Sequence, residues 1–166
     1  MTHFKIAHEF AADPQTYWKV FLSEPYNVAL YDRIGIKERT ILSRTEDEKT
    51  VKWSVRIMPK RDLPGVIKKI VGGDLGYVET STLYRDESYI DVHIAPTLMK
   101  ERTKIRGKYT VVPIGGGRVR RTFEGDIDID LPLVGKKVEA TILEDMQRSY
   151  DVAAQVTAEW LAKGGA

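Results

Sequence analysis

The stretch "DIDIDLPLVGKKVEATILED", Asp126 to Asp145, changes its periodicity within a few residues. Polar and apolar residues alternate strictly into Leu131-Pro132, the pattern of a strand with one buried face. Beyond the proline, Val134, Val138, Ile142, Met146, Tyr150, Ala153, Thr157 and Trp160 recur at steps of three and four, an amphipathic helix. Its other side carries Lys136, Lys137, Glu144, Arg148, Asp151, Gln155 and Glu159. A helix from Leu133 to Ala162 would span roughly 45 Å at 1.5 Å per residue, enough to cross an entire curved sheet. A dry strand face and a dry helix face, joined almost without a linker, are expected to cover each other, with Tyr150 and Trp160 anchoring the helix over the sheet.

The segment before this junction sets a register. Residues 102–112 and 118–131 flank "IGGG". A three-residue loop at Gly115 to Gly117 places Ile114 opposite Arg118. Counting back, Arg102 meets Asp130, Lys104 meets Asp128, Arg106 meets Asp126 and Lys108 meets Glu124. The other face pairs Ile105 with Ile127, Gly107 with Gly125, and Tyr109 with Phe123. Cross-strand charge pairs contribute only about 0.2–1 kcal/mol each, but four in a row select one register. The charged face is therefore solvated and the aromatic face buried, with Gly107 and Gly125 expected to leave room beneath it.

Working outward, "HFKIAHEF" puts Phe4, Ile6, His8 and Phe10 on one strand face. Asp13-Pro14 is a helix N-cap with proline in the first turn. Trp18, Phe21 and Leu22 make that helix apolar on one side, and Pro25 should break it. A second short helix is predicted across "NVALYDRI", closed by Gly35. Strands follow at residues 36–44 and 51–58, then a short helix in "LPGVIKKIVGGDLG". "YVETSTLY" and "SYIDVHIA" form a hairpin that sets Leu83 opposite Ile90, Ser81 opposite Val92 and Glu79 opposite Ile94. The order is strand, two helices, a six-stranded antiparallel meander and a long C-terminal helix.

Composition narrows the class. The 166 residues suit a single domain, 1–166, with 42% hydrophobic and 30% charged residues. With 26 basic and 24 acidic residues the net charge is +2, which argues against a dedicated nucleic-acid partner. There are no cysteines, excluding disulfides, thiol catalysis and cysteine-ligated metals. No apolar run reaches the roughly 18 residues of a membrane span, and the start lacks a signal peptide's apolar stretch. Stable membrane insertion is not expected; a cytoplasmic protein is, as a monomer or weak dimer.

The strand–Pro–helix junction, the glycine-closed last hairpin and "FAADPQTYWKVF" together resemble the START-like helix-grip superfamily. That superfamily includes polyketide cyclases and dehydrases, lipid-transfer domains and plant pathogenesis-related allergens, and the likeness is closest to bacterial members of unassigned function. The resemblance covers essentially the whole chain. It implies an α+β fold in which a curved seven-stranded antiparallel sheet grips the C-terminal helix around an apolar cavity. Function varies widely on such a scaffold.

No sharper motif survives inspection. "PLVGKK" has Asp130 where a phosphate loop needs glycine, and lacks Ser/Thr after its lysine. His3, His8 and His93 show no metal-ligand spacing, so neither metal nor other cofactor is expected. His8 should point inward as a hydrogen-bonded core residue, and His93 outward. Glu79 shares the face of Leu83, Ile90 and Ile94, so it needs a partner such as Arg121 or a raised pKa. Glu38 and Thr40, sharing a face with Ile36 and Leu42, add polar groups to the same side. Mostly apolar walls with a few polar contacts are what an amphipathic ligand requires. The expected lining is Trp53, Tyr77, Glu79, Leu83, Val92, Tyr109, Phe123, Met146 and Tyr150, with an opening between the short helix around Val66 to Ile70 and the last hairpin. The leading expectation is binding or carriage of a small hydrophobic molecule such as a lipid, sterol-like or polyketide-like compound. The alternatives are a cyclase-, dehydrase- or hydrolase-type enzyme using Glu79, His8 or Tyr109, and a protein-interaction module with a filled core.

Overall fold

The computed structural model describes residues 1–59, 65, 69, 76–97 and 101–164. Strand β1 (Thr2–Phe10) leads to helices α1 (Pro14–Phe21) and α2 (Glu24–Ile34). Six strands follow: β2 (Ile36–Glu46), β3 (Thr50–Pro59), β4 (Tyr77–Tyr84), β5 (Tyr89–Pro96), β6 (Thr103–Gly115) and β7 (Arg118–Ile129). Helix α3 (Gly135–Ala162) is the last element. The strands form one seven-stranded antiparallel sheet in the order β1-β7-β6-β5-β4-β3-β2. This is the helix-grip fold. The short helix expected over residues 63–70, and the opening beside it, lie outside the described residues apart from Gly65 and Lys69.

Local chemistry explains the helix starts. Asp13 caps α1, its carboxylate accepting from the Thr16 N–H at 2.7 Å. Pro25 does not break a helix here. It sits in the first turn of α2, where a missing N–H costs nothing, so α2 starts at Glu24 rather than Asn27. Gly35, with φ +90°, closes α2.

The last hairpin keeps the expected register by a different route. Lys104 pairs with Asp128, Gly107 with Gly125 and Tyr109 with Phe123. Gly115, not Ile114, faces Arg118, and Ile114 is bulged out. Gly116 and Gly117, at φ +63° and +71°, make the tight turn, so bulge and turn together do the work of a three-residue loop. The acidic row of β7 finds its ion pairs across the other seam. His3 contacts Glu124 at 3.0 Å and Asp126 at 3.1 Å, and Lys5 approaches Glu124 at 3.8 Å.

Bulges also re-aim β2. Register shifts between Ile36 and Glu38, and between Ile41 and Ser43, turn Arg39, Ile41 and Arg44 onto the inner face opposite Ile57, Val55 and Trp53. Glu38 and Thr40 are exposed, contrary to the simple alternation.

Strand β7 and helix α3 are locked at their junction. A Cβ on Gly135 would lie 2.5 Å from the Ile129 carbonyl oxygen, so only glycine permits the approach. The Glu139 carboxylate, 1% exposed, accepts the Ile129 N–H at 3.1 Å and also bonds Thr2 Oγ1 and Lys136 Nζ. From Gly135 the helix runs 28 residues, about 42 Å. Tyr150 stacks on Phe123, with ring centroids 5.2 Å apart at 19°. Trp160 does not reach the sheet. It meets Tyr26 edge-on, in a second cluster with Val20, Leu30 and Val156 that binds α3 to α2.

Candidate functional site

Strand register arranges the inner face of the sheet in rows. One row runs Ile41, Val55, Glu79, Ile94, Ile105, Ile127. The next runs Arg44, Trp53, Ser81, Val92, Gly107, Gly125. A third holds Val51, Leu83, Ile90, Tyr109 and Phe123. Glu79 is thus the one acidic group in an aliphatic row, near the middle of the sheet rather than at its edge.

Between these rows, α2 and α3 lies a cavity of about 190 Å³. Trp53, Tyr77, Glu79, Val92 and Tyr109 of the strands line it, and so does Tyr150 of α3. Leu83 and Phe123, each 1% exposed, belong to the packed core, and Met146 packs against that core; none of these three is part of the lining. Gly107 offers no spare room: a Cβ there would meet Phe123 Cε2 at 2.4 Å, because the Phe123 ring already covers it. Sequence reasoning missed the wall formed by Tyr26, Leu30, Tyr31 and Ile34 of α2, and missed Arg39. The signal for α2 was present in the spacing of Tyr26, Leu30 and Ile34 one helical face apart. Arg39 was hidden by the bulge.

The polar groups divide into two sets. At one end, burial pushes the Glu79 carboxyl up, while a hydrogen bond from Ser81 Oγ (3.3 Å) and the Arg39 charge act the other way. Burial also pushes the Tyr31 hydroxyl well above its ordinary range. The Arg39 side chain, 17% exposed, lies 5.0 Å over the Tyr31 ring and binds Glu24 through both Nη atoms, at 2.7 and 3.4 Å.

The other set surrounds Arg121, 2% exposed, which also borders the cavity. Its guanidinium lies 4.9 to 5.8 Å from the Phe10, Tyr150 and Tyr109 ring centroids. Nη2 donates to His8 Nδ1 at 2.8 Å and to the Tyr150 carbonyl at 3.3 Å. A guanidinium only donates, so His8 Nδ1 accepts and its Nε2–H donates to Asp151 at 2.9 Å. That bond holds the Asp151 carboxyl below its ordinary range. Arg121 is therefore balanced by Asp151 through His8, not by Glu79. The Tyr109 hydroxyl bonds that of Tyr17. Of the three residues considered for catalysis, Glu79 and Tyr109 line the cavity, and His8 lies behind Arg121. His93, half-buried, lies on the outer face. Among the described residues no group of three His, Asp or Glu side chains could hold a metal ion, and no helix is long and apolar enough to cross a membrane.

Residues 5–161 match the family described as "Protein of unknown function (DUF2505)". The chain belongs to that family. No curated protein sequence matches it. Solved structures share the fold at low identity. A protein from Thermus thermophilus, TTHA0849, is 10% identical with a TM-score of 0.70, over 99% of this chain and 100% of that one. The Zhui aromatase/cyclase from Streptomyces sp. R1128 is 12% identical at 0.64, over 95% and 92%. A START superfamily protein from Mycobacterium smegmatis is 18% identical at 0.56, over 96% and 98%. At such identities the likeness is one of fold: this DUF2505 chain shares the helix-grip fold with these proteins.

Proposed function

We propose that this DUF2505 protein binds a small, mainly apolar molecule with a polar end in the cavity beneath α3. The observation that carries the reading is Glu79: a carboxyl held between Val55 and Ile94 yet bordering open space. A carboxyl serves no purpose in core packing, where it costs free energy, but it gives a ligand a polar contact on an apolar wall. The volume limits the ligand. An apolar cavity of about 150 Å³ accepts benzene, whereas pockets for drug-sized ligands run to about 300–1,000 Å³. About 190 Å³ suits one or two fused rings, or a short acyl chain. A sterol-sized guest would need α2 and α3 to separate.

Tryptophan emission supplies the test, because of Trp18, Trp53 and Trp160 only Trp53 lines the cavity, and a guest changes its share of the signal. Titrating the protein with naphthalene-sized compounds should change that emission saturably at one guest per chain. Emission unchanged up to the solubility limit of such compounds would overturn the reading.

A further inference from the structure

Among the described residues that line the cavity, one buried donor has no partner. Arg39 Nε is fully buried, and among the described residues it has no hydrogen-bond partner. Its neighbours fix its direction. Glu24, 55% exposed, holds both Nη atoms from the solvent side, and the Tyr31 ring supports the guanidinium. What remains is the Nε edge of an immobilised cation, on a residue that borders the cavity. The β2 bulge that brings Arg39 inward also places it one row from Glu79, across Ile57 and Val55.

We propose that the guest is a small carboxylic acid, its carboxylate seated on the Nε edge of Arg39 beside Glu79, and its apolar body lying toward Trp53, Val92 and Tyr109. This rests on the cavity-binding reading above. Arginine presents planar forked donors that match a carboxylate's two oxygens. Glu24 already uses the outer fork, and a guest's carboxylate would use the inner edge. Glu79 is compatible with an anionic neighbour only as the neutral acid, when its O–H donates a hydrogen bond. Burial favours that state. A neutral amide or alcohol of the same shape would fill the apolar part but accept the Nε–H bond without charge assistance.

The test compares 3-phenylpropanoate with 3-phenylpropanamide by calorimetric titration at neutral pH and low salt. The acid should bind about tenfold more tightly or better, as expected for a charge-assisted bond. Arg39→Gln should bring the acid to within about twofold of the amide. Arg39→Lys retains the charge but not the Nε edge, so it should also lose most of the preference; it covers the case in which Arg39→Gln does not fold. Equal binding of acid and amide to the native protein would overturn the acidic-head assignment and leave the cavity reading intact. A preference that persists in either folded variant would overturn the role of Arg39. If neither compound binds, both readings fall.

Discussion

Ile129 donates its backbone N–H to the Glu139 carboxylate at 3.1 Å, so the end of the last strand and the fifth residue of the long helix share one hydrogen bond. Burial opposes ionisation of Glu139, but the bonds from Thr2, Ile129, the terminal ammonium and Lys136 outweigh it and hold the carboxyl at about 2. The folded value is depressed. The stability it contributes is therefore present above the unfolded value and is lost as pH falls from there through about 2. Glu139→Gln should cost roughly 2–3 kcal/mol at neutral pH and flatten the acid limb of the stability profile. Denaturant melts at several pH values would show this; a variant as stable as the native chain would mean that the junction does not depend on the charge.

Gly125 and Gly107 face each other across β7 and β6, but their surroundings differ. A Cβ on Gly125 would sit 2.0 Å from the Arg106 carbonyl oxygen, which is backbone and cannot turn aside. On Gly107 it would meet the Phe123 ring, itself fixed by Phe4 and Tyr150. Overpacking typically costs about 1–3 kcal/mol. Gly107→Ala should fall within that range and Gly125→Ala at or beyond its top, measured by urea unfolding. Equal tolerance of both would contradict the strand contact described.

Glu79 has the opposite pH sign from Glu139. Its folded pKa is raised by burial, so its favourable contribution is complete below the unfolded value and disappears as pH rises through the folded one. Glu79→Gln should therefore be more stable than the native protein at alkaline pH and lose the advantage near pH 4. Thermal melts across that range give the crossover. A constant offset at every pH would mean that Glu79 titrates normally.

His8 links Arg121 to Asp151, and the two ends differ in exposure. Removing the imidazole in His8→Ala takes one acceptor from a 2% exposed guanidinium and leaves it the longer bond to the Tyr150 carbonyl, a loss of about 1–3 kcal/mol. Asp151 is 55% exposed, and Asp151→Asn should cost clearly less. Unfolding measurements on both variants rank them; the reverse order would contradict the relay.

The sequence made the fold legible where one face was strongly marked. Four charged pairs fixed the β6–β7 register, and the stripe from Val138 to Thr157 announced α3. The alternation also found five lining residues, because β3, β4, β5 and β6 keep strict period two beside the cavity, and the helical spacing found Tyr150. It failed on β2, where extra residues in the strand reverse the faces without any glycine or proline to mark them. That reversal concealed Arg39. Glu139 was missed because its partner is a backbone N–H, which no side-chain pattern announces. Leu83 and Phe123 share a face with the lining residues, and only packing depth separates them from it.

The central claim is that the interior takes a guest, and a cavity-filling variant tests it most directly. Val92 lines the cavity at 8% exposure, and Val92→Phe would direct a ring into the open space. Naphthalene binding, read from the change in tryptophan emission in the native protein and the variant, should be saturable and one-to-one in the first. In the second it should weaken at least about tenfold, with the melting temperature little changed. Undiminished binding in a folded Val92→Phe protein would show that guests sit elsewhere and contradict the account.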